Sequence, residues 1–349
     1  MRCLLAIFYI CVFIVSGRAE NDGTEVALLE QVRLHPDSFL PNHVLGEFYA
    51  HRSDLKAAVP YLRKAFEIDP GNYDNGYDLA LAYLETGATQ SSREVIQALI
   101  QRQDKAELHN LLGDVEEKDG HVQQSAEQYE VAARMDPSEK NLFDLANELL
   151  LHRGFQPGLK VLDFATQKYP NSAKLRVALG VAHYSLGQYD QALEALCHAV
   201  DLDPKDTRAL DFLGKMYDVA PEKADEVTRR LARFTREYPN NAAANYYYAL
   251  SLRRRTTEGH SATLDRESER FLLRATKLSP EWADAHYQLG LLYEDESLQD
   301  NAIREYQVAV RLRPDLAKAH YHLARLYEKK GQRESAQAEL HAFEALKAR

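Results

Sequence analysis

Cysteine, methionine and tryptophan are scarce: the 349 residues include three Cys, three Met and one Trp. Cys3 and Cys11 fall near the N-terminus, which leaves Cys197 as the one thiol of the remaining chain. A single thiol closes no internal disulfide, so packing alone must hold the fold, even in an oxidising compartment. Cys197 follows Leu196 on an apolar helical pattern and reads as a buried, inert thiol. Glycine (16) and proline (12) are too few for a collagen-like or low-complexity chain. Apolar runs of the 18 or so residues needed to span a bilayer are absent. So are His-Glu-x-x-His, a Gly-rich phosphate loop and a Gly-x-Ser-x-Gly elbow, and no metal or other cofactor is expected. Cys197 and His198 diverge as helical neighbours, and so do His320 and His322, which read as surface residues. No Asn-x-Ser/Thr acceptor occurs, which favours a bacterial envelope over a eukaryotic secretory route.

The N-terminus has the form of an export signal. Arg2 precedes a 13-residue apolar run at 3–15, and Gly17 and Ala19 supply the small residues that precede a cleavage site at Glu20. The expected location is therefore periplasmic, cell-envelope or secreted, with the signal either cleaved or kept as an anchor. Cys11 lacks a lipoprotein cleavage box, so no lipid anchor is expected. Beyond the signal, charge is uneven. Residues 20–140 carry 23 acidic against 11 basic side chains, whereas 141–349 carry 30 of each. An acidic first third repels phosphate backbones, which argues against nucleic acid as a partner.

Self-similarity organises the rest of the chain. The phrases Glu67-Ile68-Asp69-Pro70, Arg134-Met135-Asp136-Pro137, Asp201-Leu202-Asp203-Pro204 and Arg311-Leu312-Arg313-Pro314 recur. With Pro36, Pro170, Pro239 and Pro280 they step along the chain at 33 to 35 residues, except for 41 between Pro239 and Pro280 and for a gap between Pro70 and Pro137, where Asp104 replaces the phrase and the phase is kept. Each proline follows a helical pattern and stops it, since it lacks the amide donor and crowds the preceding turn. A column of small residues runs in the same phase: Gly46, Ala80, Gly113, Ala146, Gly180, Gly214, Ala249, Gly290 and Ala324. Leu precedes eight of the nine, and Tyr248 precedes Ala249.

Period, proline and the Leu-Gly-x-x-Tyr core of Leu289, Gly290 and Tyr293 resemble the tetratricopeptide repeat family. The resemblance implies an all-α, right-handed helical-repeat solenoid of about nine helix-turn-helix units. The expected divisions are a signal peptide (1–19), a capping helix (20–38) and a repeat array (39–349). The repeats span 39–72, 73–105, 106–138, 139–172, 173–206, 207–241, 242–282, 283–316 and 317–349. Val26, Leu28, Leu29 and Val32 give the first helix its apolar side, and Ala336, Leu340, Phe343 and Leu346 suit a terminal cap. Repeat six departs from the pattern, because Arg230 and Arg233 replace an apolar residue and an Ala, and Val219-Ala220-Pro221 breaks its turn. Repeat seven carries a polar insertion near 253–266, read as a solvent loop between its two helices.

The family lines a concave face with its first helices. Carried onto this register, the partner-binding candidates are Tyr77, Asp78, Asn110, Asp114, Phe143, Asp144, Asn147, Tyr184, Phe212, Lys215, Tyr246, Tyr247, Arg253, Tyr287, Gln288, Tyr321, His322 and Arg325. Tyr and Arg bring large contact area with a polar handle, although a Tyr here can equally pack between adjacent helices. The Lys/Asn/Arg set of the family's carboxylate clamp is not in register. Asp74, Asp78, Glu85, Glu107, Asp114, Glu116 and Glu117 make the early repeats acidic, so a basic protein or peptide segment is the expected partner there. The leading function is a non-catalytic protein–protein interaction scaffold. The alternatives are an assembly factor of an envelope complex, acting by oligomerisation or docking, and an enzyme with a dispersed site.

Overall fold

The computed structural model describes residues 18–256 and 262–348. The apolar run of the expected signal and the insertion's centre at 257–261 lie outside the described residues. The described residues form nineteen α-helices, one short 3-10 turn and no strand. They divide into two compact units, one ending at Gly154 and the other beginning at Phe155.

The first unit holds α1 (Arg18–Leu34), α2 (Phe39–His51), α3 (Leu55–Ile68), α4 (Tyr73–Glu85), α5 (Thr89–Ile100), α6 (Ala106–Lys118), α7 (Val122–Met135) and α8 (Glu139–Leu151). Here α2/α3, α4/α5 and α6/α7 pack as pairs, and each pair packs on the next. Leu62, Leu79, Ile96, Leu99 and Leu108 form its fully buried core. In α1 only Leu28 of the four expected apolar residues is buried, while Val26 stays 67% exposed. The helix is held as much by polar contacts, Glu25 accepting from the Tyr49 hydroxyl at 2.9 Å and from Arg52 at 3.1 Å.

The second unit holds α9 (Phe155–Lys168), α10 (Ala173–Ser185), α11 (Tyr189–Leu202), α12 (Arg208–Val219), α13 (Ala224–Glu237), α14 (Ala242–Thr256), α15 (Ala262–Leu278), α16 (Ala283–Asp295), α17 (Gln299–Leu312), α18 (Ala317–Lys329) and α19 (Arg333–Lys347). Its core runs from Leu196 and Leu213 through Phe234 and Tyr248, with a second cluster around Leu289 and Tyr306. Cys197 is buried within it, and burial pushes the thiol up to about 12.

The small-residue column has a direct steric cause. A Cβ on Gly46, Gly113, Gly180 or Gly290 would lie 2.5–2.7 Å from Leu62, Tyr129, Leu196 or Tyr306, each sixteen residues later on the paired helix. At these four positions even the Cβ of an Ala would force the facing side chain to shift. A second repeated device closes the backbone. Ser92, Ser125 and Ser268 donate to the column carbonyls of Ala80, Gly113 and Ala249 at 2.7, 3.1 and 3.0 Å. Serine and column residue are twelve apart in the first two cases and nineteen in the third, so the insertion in repeat seven amounts to seven residues and the register resumes by Ser268.

A third device satisfies the backbone at the proline stops. Asn42, Asn245, His286 and His320, each six residues past a proline, hydrogen-bond the carbonyls of Pro36, Pro239, Pro280 and Pro314 at 3.0–3.1 Å. Carbonyls freed at a helix stop need partners once buried. His320 and His322, expected at the surface, are in fact drawn inwards. His320 is buried between Glu339 and Pro314, and His322 bonds Glu294 at 2.7 Å.

The two irregular repeats absorb their departures in different ways. In repeat six the chain makes a 3-10 turn at Pro221–Lys223, and α12 packs more extensively on α14 than on its own partner α13. In repeat seven the described flanks of the surplus are helical. They extend α14 to Thr256 and start α15 at Ala262.

Candidate partner-binding face

In the first unit, α4 and α6 carry the predicted residues with the strongest electrostatic character. The α4 cap is local: the Asn72 side chain accepts from the Asn75 amide at 2.9 Å. One turn on, the Tyr73 ring stacks beside Tyr77 with centroids 6.2 Å apart. The Tyr73 hydroxyl donates to Glu107 at 2.9 Å, and Lys105 lies 3.4 Å from its ring centroid. Asp78 and Asp114 flank Tyr77. Burial, reinforced by Glu47 and against the pull of His43 and His51, raises the Asp78 carboxyl above its ordinary range. Burial also raises Asp114, despite a 2.6 Å hydrogen bond donated by the Tyr129 hydroxyl and the nearby Lys140. Burial and the carboxylates of Asp114, Glu107 and Asp78 push the Tyr77 hydroxyl up as well. In both carboxyls burial outweighs the nearby cations.

Other predicted residues turn out to brace successive first helices. Asn110 is 4% exposed and donates to Asp144 at 2.9 Å, while Lys140 reaches both Asp144 and Asn110. This corrects the assignment of Asn110 to an open face: a buried amide needs a partner, and the neighbouring helix provides one. Glu116 is likewise removed from the acidic surface. It is buried against Arg93 at 2.8 Å and His121 at 2.8 Å, and Arg93 holds its carboxyl below the usual range. Phe143 is half-buried and Asn147 exposed on α8.

In the second unit Tyr184 sits edge-on to Phe212 and Tyr189, with centroids 5.5 and 6.0 Å away, and serves packing between helices. Tyr246 is buried, and the Tyr247 hydroxyl donates to Asp211 at 2.8 Å. Lys215 pairs with the same Asp211 at 2.6 Å and lies over the Phe212 ring. Arg253 bonds the Gln288 carbonyl at 3.1 Å and Asp295 at 2.5 Å, joining α14 to α16. Tyr287 and His322 gather around Tyr306. Tyr321, 41% exposed, keeps an open ring beside His322 and Arg325.

Sequence reasoning missed a cleft of about 660 Å³ in the second unit, lined by Pro204, Lys205, Tyr238, Pro239, Tyr247 and Trp282 among others. Three inter-repeat turns form it. Trp282 stands at the N-cap of α16, its ring 4.4 Å from that of Tyr246. The one available signal was the chain's sole tryptophan, two residues after Pro280. Among the described residues no three of His, Cys, Asp and Glu stand close enough to hold a metal ion, and no helix is long and apolar enough to cross a membrane.

A sequence model described as tetratricopeptide repeat matches residues 49–115 and 158–216, and another described as TPR repeat matches 299–331. No curated protein matches the sequence. Among solved structures, the C-terminal part of a TPR repeat-containing protein from Cytophaga hutchinsonii is 12% identical. It covers 80% of this chain and 98% of its own, with a TM-score of 0.52. YrrB, a TPR protein with an unusual peptide-binding site, is 18% identical over 53% of this chain and 96% of its own, with a TM-score of 0.44. MamA is 24% identical over 50% of this chain and 92% of its own, with a TM-score of 0.39. The helix pairs, the steric column of small residues and the matching sequence models agree: residues 49–115, 158–216 and 299–331 are tetratricopeptide repeats, set in an all-helical repeat fold.

Proposed function

We propose that this protein is a non-catalytic scaffold, exported to the cell envelope or beyond, that holds a basic protein or peptide segment. Proteins of these repeats generally mediate protein and peptide interactions. The supporting observation is the first-helix face around Tyr77. Two carboxylates, Asp78 and Asp114, are held there with raised affinity for protons beside stacked Tyr73 and Tyr77 rings. A lysine or arginine laid on this face would relieve the repulsion among the acids and meet an aromatic surface. Export rests on the N-terminal pattern of Arg2, the apolar run and Ala19.

Fluorescence anisotropy with a labelled Lys/Arg-rich peptide tests the binding. Asp78→Lys with Asp114→Lys should weaken it at least about tenfold, on the order of 1.4 kcal/mol, and flatten its salt dependence. Unchanged affinity sinks the proposal. Fractionation of native cells, with N-terminal sequencing expected to begin at Glu20, tests export independently.

Assembly by self-association is the second reading. In its favour, α19 buries none of its residues and leaves Leu340 42% exposed. Light scattering across a concentration series decides it: a constant monomer mass removes this reading.

A further inference from the structure

Three repeats place a matched pair at one pair of positions, nineteen residues apart, on the two helices of a unit. His109 meets Gln128 at 2.8 Å, His286 meets Glu305 at 2.7 Å, and His320 meets Glu339 at 2.5 Å. In each pair the first helix contributes a nitrogen-bearing ring and the second an oxygen acceptor. Repeat five keeps the first half of this arrangement and lacks the second. Arg176 on α10 stands in the histidine position, four residues before Gly180, and Ala195 on α11 stands where the acceptor belongs.

The consequence is visible in the packing. A pocket of about 200 Å³ opens between α10 and α11, lined by Arg176, Leu179, His183, Gln191, Glu194, Ala195 and His198. The Arg176 Nε is buried and has no hydrogen-bond partner among the described residues. A guanidinium N–H removed from water without an acceptor is a standing cost, and the acceptor it suits best is a carboxylate. The other charged or titratable groups around the pocket are His183, Glu194 and His198. Nδ1 of His183 is occupied by Gln188 at 2.7 Å, and both Glu194 and His198 are exposed. No ion pair joins Glu194 to Arg176 within 4.0 Å among the described residues. The pocket therefore has a cation on its inner wall and a vacant acceptor position beside it.

We infer that the pocket between α10 and α11 is a carboxylate-binding site, in which an acidic group from outside the chain takes the place that Glu305 and Glu339 fill in repeats eight and nine. It is separate from the acidic face around Tyr77. It takes a ligand of opposite charge, so either site can fail without the other.

Arginine Nε–H resonances of the 15N-labelled full chain test this, with acetate as the probe and chloride at matched ionic strength as the control. The Arg176 signal, assigned by its loss in Arg176→Lys, should shift saturably with acetate with a midpoint on the order of millimolar. It should not shift with chloride. Ala195→Glu supplies the carboxylate internally, so its Arg176 signal should start at the shifted position and ignore acetate. Should Ala195→Glu misfold, Ala195→Gln provides the same test with a neutral acceptor. Equal, non-saturating shifts with both salts overturn the proposal, as does an Ala195 variant that folds and still titrates like the parent. Competition separates the sources of the carboxylate. A C-amidated peptide with one central Glu represents an acidic side chain, and its Gln analogue with a free C-terminus represents a chain end. Displacement of acetate by either assigns the source, and displacement by neither assigns the site to small free carboxylates.

Discussion

The Cβ position of Gly214 on α12 lies 2.5 Å from Cδ1 of Tyr247 on α14, so the next pair's ring covers this glycine. At Gly46, Gly113, Gly180 and Gly290 the covering group is the Leu or Tyr of the pair's own second helix. Repeat six has Arg230 at that place, and a cation cannot fill a dry interhelical contact. Tyr247 fills it instead and anchors its hydroxyl on Asp211 at 2.8 Å. A residue read as a ligand contact is therefore first a structural one.

The column can be tested sterically. Gly180→Leu forces a side chain into Leu196, whose Cγ lies 2.6 Å from the Cβ position, and should destabilise by about 1–3 kcal/mol or more. Leu289→Ala empties a fully buried site and should cost about 2–5 kcal/mol. Leu340→Ala, at an exposed position, should stay within about 0.5 kcal/mol. Urea unfolding followed by circular dichroism measures all three. An unmoved midpoint for Gly180→Leu would show the register to be wrong.

His286 predicts a pH dependence. Its Nδ1 faces Glu305 at 2.7 Å and its Nε2 the Pro280 carbonyl at 3.0 Å, so both nitrogens meet acceptors. Burial opposes the charged ring, yet the two hydrogen bonds outweigh it and the net shift is upwards from 6.5. A raised folded value means that the pair's stabilisation is complete below the ordinary histidine value and fades as pH rises through the folded one. Glu305→Gln should therefore lower the melting temperature at pH 5.5 and converge on the parent by about pH 9. A pH-independent difference would refute the ionic character of the pair.

Asp78 gives the same direction of pH dependence, but from a charge that opposes folding. Its folded value is raised, so holding the charge opposes folding at neutral pH, and that opposition is relieved as pH falls through the raised value. Asp78→Asn should melt higher than the parent at pH 7, with the gap closing towards pH 4. The same variant should bind the basic peptide more weakly. A variant that is both less stable and equally competent in binding would remove Asp78 from the site.

Cys197 should resist thiol reagents in the folded protein, since it is 4% exposed and its thiol is pushed up to about 12. Ellman's reagent should label it at the rate of global unfolding, measured by pulsed denaturation. Rapid labelling without denaturant would place the thiol in an opening segment.

The repeat column was legible because Gly113 and Gly290 admit no Cβ against Tyr129 and Tyr306, and a constraint imposed at a fixed period writes itself into the chain. The proline stops were legible for the same reason. Side chains around Tyr77 were placed by register alone, but Asn110 and Glu116 were misread. Their neighbours Asp144 and Arg93 lie 34 and 23 residues away, and pattern within one helix carries no information about them. The flanks of the insertion, 253–256 and 262–266, are helical where a loop was expected, because polar residues suit a solvated helix as well as a loop. Only the structure shows Arg253 and Arg254 tied back, to Gln288 at 3.1 Å and Gly214 at 3.2 Å.

By itself, then, the sequence determined the all-helical class, the 34-residue repeat and the positions where helices must touch, because local propensity and close packing act at fixed spacing. Only the tertiary structure decided which polar groups remain open. Whether Asp114 is a surface charge or a partner of Tyr129, or whether Arg176 finds an acceptor at Ala195, depends on side chains that meet across helices. The strength of those meetings depends on burial and distance, which periodicity cannot encode.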